Sequence, residues 1–140
     1  MATEFLDSNV LVYAFTSDPR AATAQTMLER GCAISVQGLN EFANVARREL
    51  GMTWHEVRDA LAAIRVVCKP VVSIDVALHD DALGLAERHG FSIYDALMIV
   101  AALRANCSTL FSEDMQDGMV IDGRLRIRDP FAGQRQHPPG

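Results

Sequence analysis

Short apolar runs of strand length alternate along this chain with longer segments that repeat apolar residues at helical spacing. The runs predict strands, and they lie at residues 3–6, 32–36, 108–111 and 125–128. The longer segments predict helices, and they lie at residues 19–30, 38–50, 53–65, 76–89 and 96–106. Strands that alternate with helices usually form a parallel sheet covered on both faces, so the pattern predicts an α/β fold. We expect a three-layer α/β/α domain whose central, mostly parallel sheet has about 4 to 5 short strands.

Length and composition fit a single domain of this kind. At 140 residues and 49% apolar content, the chain can bury a sizeable core without metal or disulfide cross-links. We predict one domain over residues 1–130 and a disordered tail over residues 131–140, which end in Pro-Pro-Gly. Pro70 interrupts the apolar stretch 66–72, so a strand there should be very short or lie at a sheet edge. The alternating pattern of residues 125–128 is typical of an edge strand.

Several classes of protein are disfavoured by what the sequence lacks. No apolar run approaches the roughly 18 to 20 residues of a membrane span, and no basic region followed by a long apolar one opens the chain. We therefore expect a cytoplasmic protein with no membrane partner. Cys32, Cys68 and Cys107 stand in apolar surroundings without a Cys-x-x-Cys pair, so we interpret them as core residues. His79 and His89 are ten residues apart, which is not the spacing of a helical metal site.

Acidic residues follow two of the predicted strands. Asp7 comes directly after the run 3–6, and Asp114 and Asp117 follow the run 108–111. Ligands of open α/β sheets bind beyond the carboxyl ends of the strands, where such acids can meet a cation or a phosphate. The alternatives are local: Asp7 could cap the following helix, and the second acidic segment could be only a turn rich in Asp and Gly.

Two more acids stand near predicted helix starts. Glu41 lies in the first turn of the helix predicted at 38–50, and Asp95 is the third residue after Ser92, just before the helix predicted at 96–106. Each has a local alternative, because an acid near a helix amino terminus interacts favourably with the helix dipole, and Ser92 with Asp95 has the form of a cap. In a parallel α/β fold, such helix starts can lie at the same sheet edge as the strand ends.

Together these acids indicate a site for a divalent metal. If Asp7, Glu41, Asp95, Asp114 and Asp117 converge, they account for the whole formal net charge of −5, and the rest of the chain is neutral. A cluster of carboxylates without Cys or His suits hard cations such as Mg²⁺ or Mn²⁺. Such ions would offset the acidic charge, and nearly all basic residues are Arg, which suits bidentate phosphate contacts. The net negative charge therefore does not exclude a nucleic-acid substrate.

Four acidic motifs follow one another along almost the whole chain. Asp7 lies in FLDSNVLVYAF, Glu41 in LNEFANV, Asp95 in SIYDALMIVAAL and Asp114 in LFSEDMQDG. In order and spacing these motifs resemble the four acids of the PIN-domain nucleases, especially the VapC-type toxins of bacterial toxin–antitoxin pairs. The match of all four in order is more specific than any single motif.

The resemblance implies a catalytic site in which the four acids bind one or two Mg²⁺ or Mn²⁺ ions, directly or through water. Asp117 would add a further metal ligand, and Asn9 and Ser112 would support the ligands by hydrogen bonds. The chain departs from the family at Ser112-Glu113, where many members have Thr-Arg. A contact of residue 113 with RNA is therefore not implied.

The reaction and the partners also follow from the resemblance. An activated water would hydrolyse an RNA phosphodiester and leave a 5′-phosphate and a 3′-hydroxyl, which is the activity of a metal-dependent endoribonuclease. Structured RNA such as transfer RNA is the implied substrate. The implied protein partners are a second copy of the chain, in a homodimer, and a cognate antitoxin that lays a basic side chain into the acidic pocket.

Two other functions stay open. A PIN-like domain that only binds RNA or protein would have the same fold, although clustered carboxylates without a metal repel one another and cost stability. A haloacid-dehalogenase-like phosphatase also begins with a strand-end Asp. Such an enzyme has a second Asp two residues further on, where this chain has Asn9, and Lys69 is poorly placed to be its catalytic Lys because Pro70 follows.

Overall fold

Strands and helices alternate along residues 3–134, which are the part of the chain that the computed structural model describes. In chain order the elements are β1 Glu4–Leu6, α1 Ser8–Tyr13, α2 Ala21–Glu29, β2 Ile34–Ser35, α3 Val36–Arg48, α4 Trp54–Val67, β3 Val71–Val72, α5 Val76–His89, α6 Ile93–Arg104, β4 Thr109–Phe111, β5 Val120–Ile121 and β6 Leu125–Arg128.

The strands form a mostly parallel sheet. Four of them are hydrogen-bonded in the order β1-β4-β6-β5, and only β5 runs antiparallel to its neighbour. The parallel pair β2-β3 extends this sheet through a bridge between Phe5 and Ala33, in which Ala33 N–H donates to Glu4 O at 2.8 Å. The connections from β1 to β4 and from β2 to β3 contain helices, whereas the chain between the parallel strands β4 and β6 contains only turns and β5. The predicted α/β fold with a central, mostly parallel sheet is confirmed.

Helices pack on both sides of this sheet and form two apolar cores. On one side, Phe5, Leu110 and Ile127 pack with α5 and α6, and on the other side Leu6 packs with α1 to α4. Residues 96–102 of α6 are all buried, as expected for a helix that is apolar all round. Burying each large apolar side chain of these cores stabilises the fold by about 1.5 to 3 kcal/mol.

Predicted caps fix several helix ends. Thr53 and Glu56 form the reciprocal capping box at the start of α4, with backbone-to-side-chain distances of 2.8 and 3.1 Å. Asp75 caps α5 by accepting the Leu78 N–H at 2.7 Å, and Gly90 ends that helix with a φ of 75°, which favours glycine. The sequence alone was sufficient to predict these helix ends, because each cap involves residues only a few positions apart.

Several predicted boundaries are wrong. The helix predicted from residue 96 begins at Ile93. The helix predicted from residue 38 begins at Val36, because Ser35 caps it by accepting the Gly38 N–H at 3.1 Å, and the strand before it covers only Ile34–Ser35. Glu41 therefore lies beyond the first turn of α3, and the first turn carries no acid. The helix predicted from residue 19 begins at Ala21.

The two predicted edge strands differ in outcome. Strand β3, next to Pro70, is two residues long and pairs only with β2 among residues 3–134, so that prediction is confirmed. The prediction for residues 125–128 is wrong, because β6 lies between β4 and β5. Its polar side chains alternate because one face of the sheet is open there, not because the strand is at an edge.

The predicted tail does not begin at residue 131. Residues 131–134 form turns, and Phe131 is fully buried, with its ring edge-on to Tyr13 at 5.1 Å between centroids. Gln134 donates to Pro19 O at 3.0 Å. The remainder of the predicted tail, residues 135–140, lies outside the described residues. Within residues 3–134, no helix has both the length and the apolar character that crossing a bilayer requires.

Candidate active site

Asp7 is the most buried of the predicted acids, with 6% of its surface exposed. It follows β1 directly and caps α1, since its Oδ1 accepts the Ser8 N–H at 2.7 Å. Its Oδ2 accepts the Ser112 hydroxyl at 2.7 Å. The local alternative of a helix cap is thus correct, but it engages only one carboxylate oxygen. The second oxygen is turned toward the loop that follows β4.

Asn9 connects Asp7 with Asp114. The Asn9 amide nitrogen donates to Asp114 Oδ2 at 3.1 Å and lies 3.5 Å from Asp7 Oδ2, so the two carboxylate oxygens are separated by no more than the sum of these distances. Ser112 holds the same loop, because its Oγ accepts the Asp114 N–H at 3.2 Å. Two acids that are 107 residues apart in sequence thereby lie together beyond the ends of β1 and β4, which is where parallel sheets bind ligands.

Glu41 and Asp95 reach the same edge of the sheet from α3 and α6. Asp95 lies in the first turn of α6, and its backbone N–H donates to the Ser92 hydroxyl at 3.1 Å, as predicted. Glu41 and Asp95 are both half-buried, and the Gln37 side chain donates a hydrogen bond to Glu41. We call Asp7, Glu41, Asp95 and Asp114 the acidic site.

Burial and mutual repulsion disfavour the charged forms of these acids. Burial is the largest cause that raises the pKa of Asp7, hydrogen bonds from Ser112 and Ser8 oppose it, and the charges of Asp114 and Asp95 raise it further. Burial also raises the pKa of Glu41, followed by the charge of Asp7. For Asp95 the causes that raise the pKa are burial and then the charge of Asp114. Asp7, Glu41 and Asp95 are therefore each close enough to at least one other acid of the site for its charge to raise their pKa.

The acidic site has the chemistry of a cation site but not a finished coordination shell. Among the ion pairs between residues 3–134, none involves any of its four carboxylates. In the same residues, no three acidic, His or Cys side chains converge closely enough to hold one metal ion. Carboxylates without an ion-pair partner still suit Mg²⁺, because Mg²⁺ keeps several waters and takes only one or two carboxylates directly. Four oxygen ligands without Cys or His fit Mg²⁺ or Mn²⁺.

Asp117 does not join this group. Its side chain is exposed, and its Oδ1 accepts the Asp129 N–H at 3.0 Å, which ties the acidic turn to the chain after β6. Its charge is not among those that raise the pKa values of Asp7, Glu41 and Asp95. The structure thus brings together four of the five predicted acids and both predicted supporting residues, Asn9 and Ser112.

A second cluster beside the acidic site was not predicted. The Tyr13 hydroxyl donates to Glu113 Oε1 at 2.7 Å, Arg20 Nε lies 3.1 Å from Glu113 Oε2, and Arg20 Nη1 donates to the Tyr13 hydroxyl at 2.9 Å. Burial, then the hydrogen bond to Glu113, raises the pKa of Tyr13 to about 12. We call these three residues the clamp. No local sequence signal links them, because α1 and the loop after β4 are about a hundred residues apart.

Fold and site together define a class: an α/β domain with a mostly parallel sheet and an acidic site beyond its strand ends. The family model of the PIN domain matches residues 5–116, most of the chain. The chain belongs to the PIN domain family. No curated protein sequence matches it.

Solved structures with the same fold come from toxin–antitoxin systems. The VapC20 toxin of Mycobacterium tuberculosis, which cleaves the sarcin–ricin loop, is 22% identical with a TM-score of 0.64, over 79% of this chain and 91% of that one. A toxin–antitoxin complex from Klebsiella pneumoniae is 18% identical with a TM-score of 0.69, over 91% and 97%. VapBC2 from Rickettsia felis, bound to a DNA fragment of its promoter, is 17% identical with a TM-score of 0.63, over 90% and 97%. At sequence identities this low, the structural similarity establishes a common fold and nothing more.

Proposed function

We propose that this protein is a metal-dependent endoribonuclease, the toxin of a toxin–antitoxin pair. The observation that carries the proposal is the acidic site, in which carboxylates from four separate elements meet beyond the strand ends with no ion-pair partner among residues 3–134. Clustered charges of one sign cost stability unless a ligand of opposite charge compensates them. A site that is costly in this way is typical of function.

The residues of the acidic site have distinct parts in the proposed reaction. One or two Mg²⁺ or Mn²⁺ ions, when bound, would supply a more acidic water for attack on phosphorus and positive charge beside the leaving oxygen. Asp7, Glu41, Asp95 and Asp114 would hold them, directly or through water. Asn9 and Ser112 would keep the carboxylates of Asp7 and Asp114 in place through the contacts described above. Asp117 is left out, because its charge is not among those that raise the pKa values of Asp7, Glu41 and Asp95.

The partners we propose follow from the family and from its solved members. RNA is the substrate, with transfer RNA as the first candidate, and the cleavage leaves a 5′-phosphate. The structure from K. pneumoniae is a complex of toxin with antitoxin, which supports a cognate antitoxin for this chain. We further propose that the protein acts in the cytoplasm as a homodimer.

One alternative has an observation in its favour. Because no three donors among residues 3–134 already converge on one point, a PIN-like domain that binds RNA or protein without cutting it is the second candidate. The phosphatase alternative is poorly supported. Asn9 presents an amide where a general acid would stand, and Lys69 lines a cavity with Thr3 and Glu4 at the start of β1, opposite the acidic site.

The decisive experiment is cleavage of a transfer-RNA mixture by the purified protein with Mn²⁺ or Mg²⁺ and with chelator. We expect cuts that need the metal and that leave a 5′-phosphate. Asp7→Asn and Asp95→Asn should each lower the rate by about a thousandfold, since each removes a carboxylate that would hold the metal ion. Asp80→Asn is the matched control, because Asp80 is exposed on α5 and outside the acidic site.

The outcome separates the two candidate functions. Metal-dependent cuts that are lost in both site variants but kept in Asp80→Asn would establish the nuclease. Absence of cleavage with both metals, together with no stabilisation of the protein by Mn²⁺, would reject it in favour of the binding module.

A further inference from the structure

One face of the sheet is covered by helices near β1 but not near β6. Side chains of residues paired across parallel strands point to the same side. Two such rows cross this face, namely Glu4–Thr109–Arg126 and Leu6–Phe111–Arg128. Along both rows the side chains become more exposed, from the buried or half-buried residues of β1 to the exposed arginines of β6. On the other face the corresponding row, Phe5–Leu110–Ile127, is fully buried throughout.

We call Thr109, Val120, Arg126 and Arg128 the open face. Val120 is the partner of Arg126 on β5 and is 45% exposed, so the face continues to the edge of the sheet. Arg128 stands between two grooves. One, of about 400 Å³, separates α2 from the sheet, and the other, of about 350 Å³, lies along Arg126 and Arg128.

The two arginines of the open face carry charge that no carboxylate of residues 3–134 offsets in an ion pair. Neither Arg126 nor Arg128 forms an ion pair with a residue in the described part of the chain. The acids that line the grooves are engaged elsewhere: Asp117 Oδ1 accepts the Asp129 N–H, Asp129 Oδ1 accepts the Phe131 N–H at 2.9 Å, and Glu4 binds Arg30 at 3.0 Å.

The open face borders the loop that carries Asp114. The Ser112 N–H donates to Arg128 O at 2.9 Å, so the end of β6 lies directly beside the start of that loop. Arg126 and Arg128 are two residues apart on one strand, which places their Cα atoms about 6.8 Å apart in a row that runs toward the loop. A strand of RNA that entered the acidic site from this side would pass over Arg126 and Arg128.

We propose that the open face binds the sugar-phosphate backbone of the RNA substrate beside the cleavage point. The inference rests on the proposed function and adds a binding surface to it. Arginine is always charged and matches phosphate in a bidentate geometry. Such contacts position the nucleic acid without reading its sequence, and they release counterions. The open face would thus supply, outside the acidic site, the attraction for phosphate that the acids themselves lack.

The test measures how RNA binding depends on salt. Asp95→Asn protein, which should bind without cutting, is titrated against a fluorescent mixed-sequence RNA of about 20 nucleotides, in Mg²⁺, between about 50 and 200 mM KCl. The same titration is made after adding Arg126→Gln and Arg128→Gln together. The control adds Arg124→Gln, whose side chain turns to Leu103 O and Asn106 on the other side of the hairpin. All three proteins have the full chain.

We expect the double substitution to weaken binding by about tenfold at the lowest salt. The slope of log affinity against log salt should become shallower by about 0.7 for each arginine. In the cleavage reaction of the otherwise unchanged protein, KM for transfer RNA should rise while kcat stays constant. The Arg124→Gln control should match its parent in every measurement.

Each other outcome has a definite meaning. If the double variant binds with unchanged affinity and slope, or if the parent does not bind the RNA at all, the proposal is wrong, and the arginines only shield the sheet from water. If binding falls as expected but the unsubstituted protein cuts no RNA with Mn²⁺, the open face stands and the nuclease proposal fails.

Discussion

Asn9 has an unusual position for a neutral side chain, because it lies between two acids that repel each other. Its amide nitrogen donates to Asp114 and lies near the Asp7 oxygen that Ser112 also binds, while its Oδ1 accepts the Glu113 N–H at 3.3 Å. One amide thus fixes both the spacing of two carboxylates and the course of the loop after β4. An amide can do this, whereas a carboxylate at residue 9 would add another negative charge.

Asn9→Ala should weaken metal binding more than it weakens the fold. Removing a hydrogen-bond partner of metal ligands typically costs about 10- to 100-fold in metal affinity. We therefore expect the Mn²⁺ concentration that half-saturates thermal stabilisation to rise by about that factor. Asn44→Ala is the control, since Asn44 is exposed on α3. Equal Mn²⁺ dependence in both variants would show that Asn9 does not position the acids.

Among individual residues, the sequence predicted those whose roles depend on contacts with residues only a few positions away in the chain. Asp7 could be placed because a strand end, a cap and an acid coincide within a few residues. Asp114 and Asp117 lie in one acidic turn and could not be distinguished, because the hydrogen bond from Asp129 that engages Asp117 comes from a residue twelve positions further on. That contact exists only once β6 has paired with β4.

The clamp joins three elements that the sequence gives no reason to connect. Tyr13 ends α1, Arg20 precedes α2, and Glu113 follows β4 directly before Asp114. Arg20 also lies over the Tyr13 ring, 4.8 Å from its centroid, and binds Asp18 at 3.3 Å. With a side-chain exposure of only 13% for Glu113, its ion pair with Arg20 is shielded from solvent more than a surface pair. The clamp therefore anchors the backbone that carries Asp114.

Glu113→Gln keeps the shape of the clamp but removes its charge, so it tests whether the clamp positions Asp114. We expect a loss of roughly 1 to 2 kcal/mol in the free energy of unfolding, because half of the pair stays partly exposed. The Mn²⁺ requirement for cleavage should rise about tenfold. Absorbance titration should show a lower pKa for Tyr13, since the variant lacks the negative charge of Glu113 beside the hydroxyl.

The pair Glu4 and Arg30, at the opposite ends of the strands, supplies the control for this variant. Glu4→Gln also breaks an ion pair, but it should leave the Mn²⁺ requirement unchanged. The chain has two tyrosines, so the transition of Tyr13 in the absorbance titration is identified by its loss in Tyr13→Phe. A Glu113→Gln protein that loses stability yet keeps its Mn²⁺ requirement would make the clamp a purely structural device.

The helices and strands show which boundaries depend on distant contacts. Helix α3 begins two residues before its predicted start because Ser35, the last residue of β2, is also its cap. A pattern of apolar residues cannot show that one residue ends a strand and caps a helix. The alternation in β6 was correct as a pattern, but the same alternation arises at an edge and over an uncovered face. Only the pairing with β5 distinguishes these cases.

For the molecule as a whole, the acidic site concentrates the excess negative charge at one edge of the sheet. Its four carboxylates nearly equal the formal net charge of −5, and three of them have raised pKa values. An acid with a raised pKa favours the protonated form in the folded state. The free-energy cost of charging this acid in the folded state is therefore absent at pH values below its ordinary pKa of about 4. This cost is fully present at pH values above the raised pKa. At neutral pH the metal-free fold carries this penalty.

Mn²⁺ should relieve the penalty and stabilise the whole protein. A ligand that binds only the folded state adds roughly 2.7 kcal/mol at a concentration a hundredfold above its Kd. For a chain of this length that corresponds to a rise in melting temperature on the order of 10 °C. NaCl at matched ionic strength should raise the melting temperature much less, because screening acts on all surface charges rather than on one site. Differential scanning fluorimetry in chelator, NaCl and MnCl₂ measures these shifts.

Asp95→Asn should have opposite effects with and without the metal, and this reversal distinguishes a metal site from a merely crowded set of acids. In chelator at neutral pH, the variant should melt higher than the unsubstituted protein, because it lacks one charge that burial and Asp114 disfavour. In Mn²⁺ it should melt lower, because it has lost a ligand. The Asp80→Asn control should follow the unsubstituted protein in both conditions. If Asp95→Asn and the unsubstituted protein gained equally from Mn²⁺, Asp95 would not be a ligand, and the carboxylates of α6 and β1 would have to be assigned separate roles.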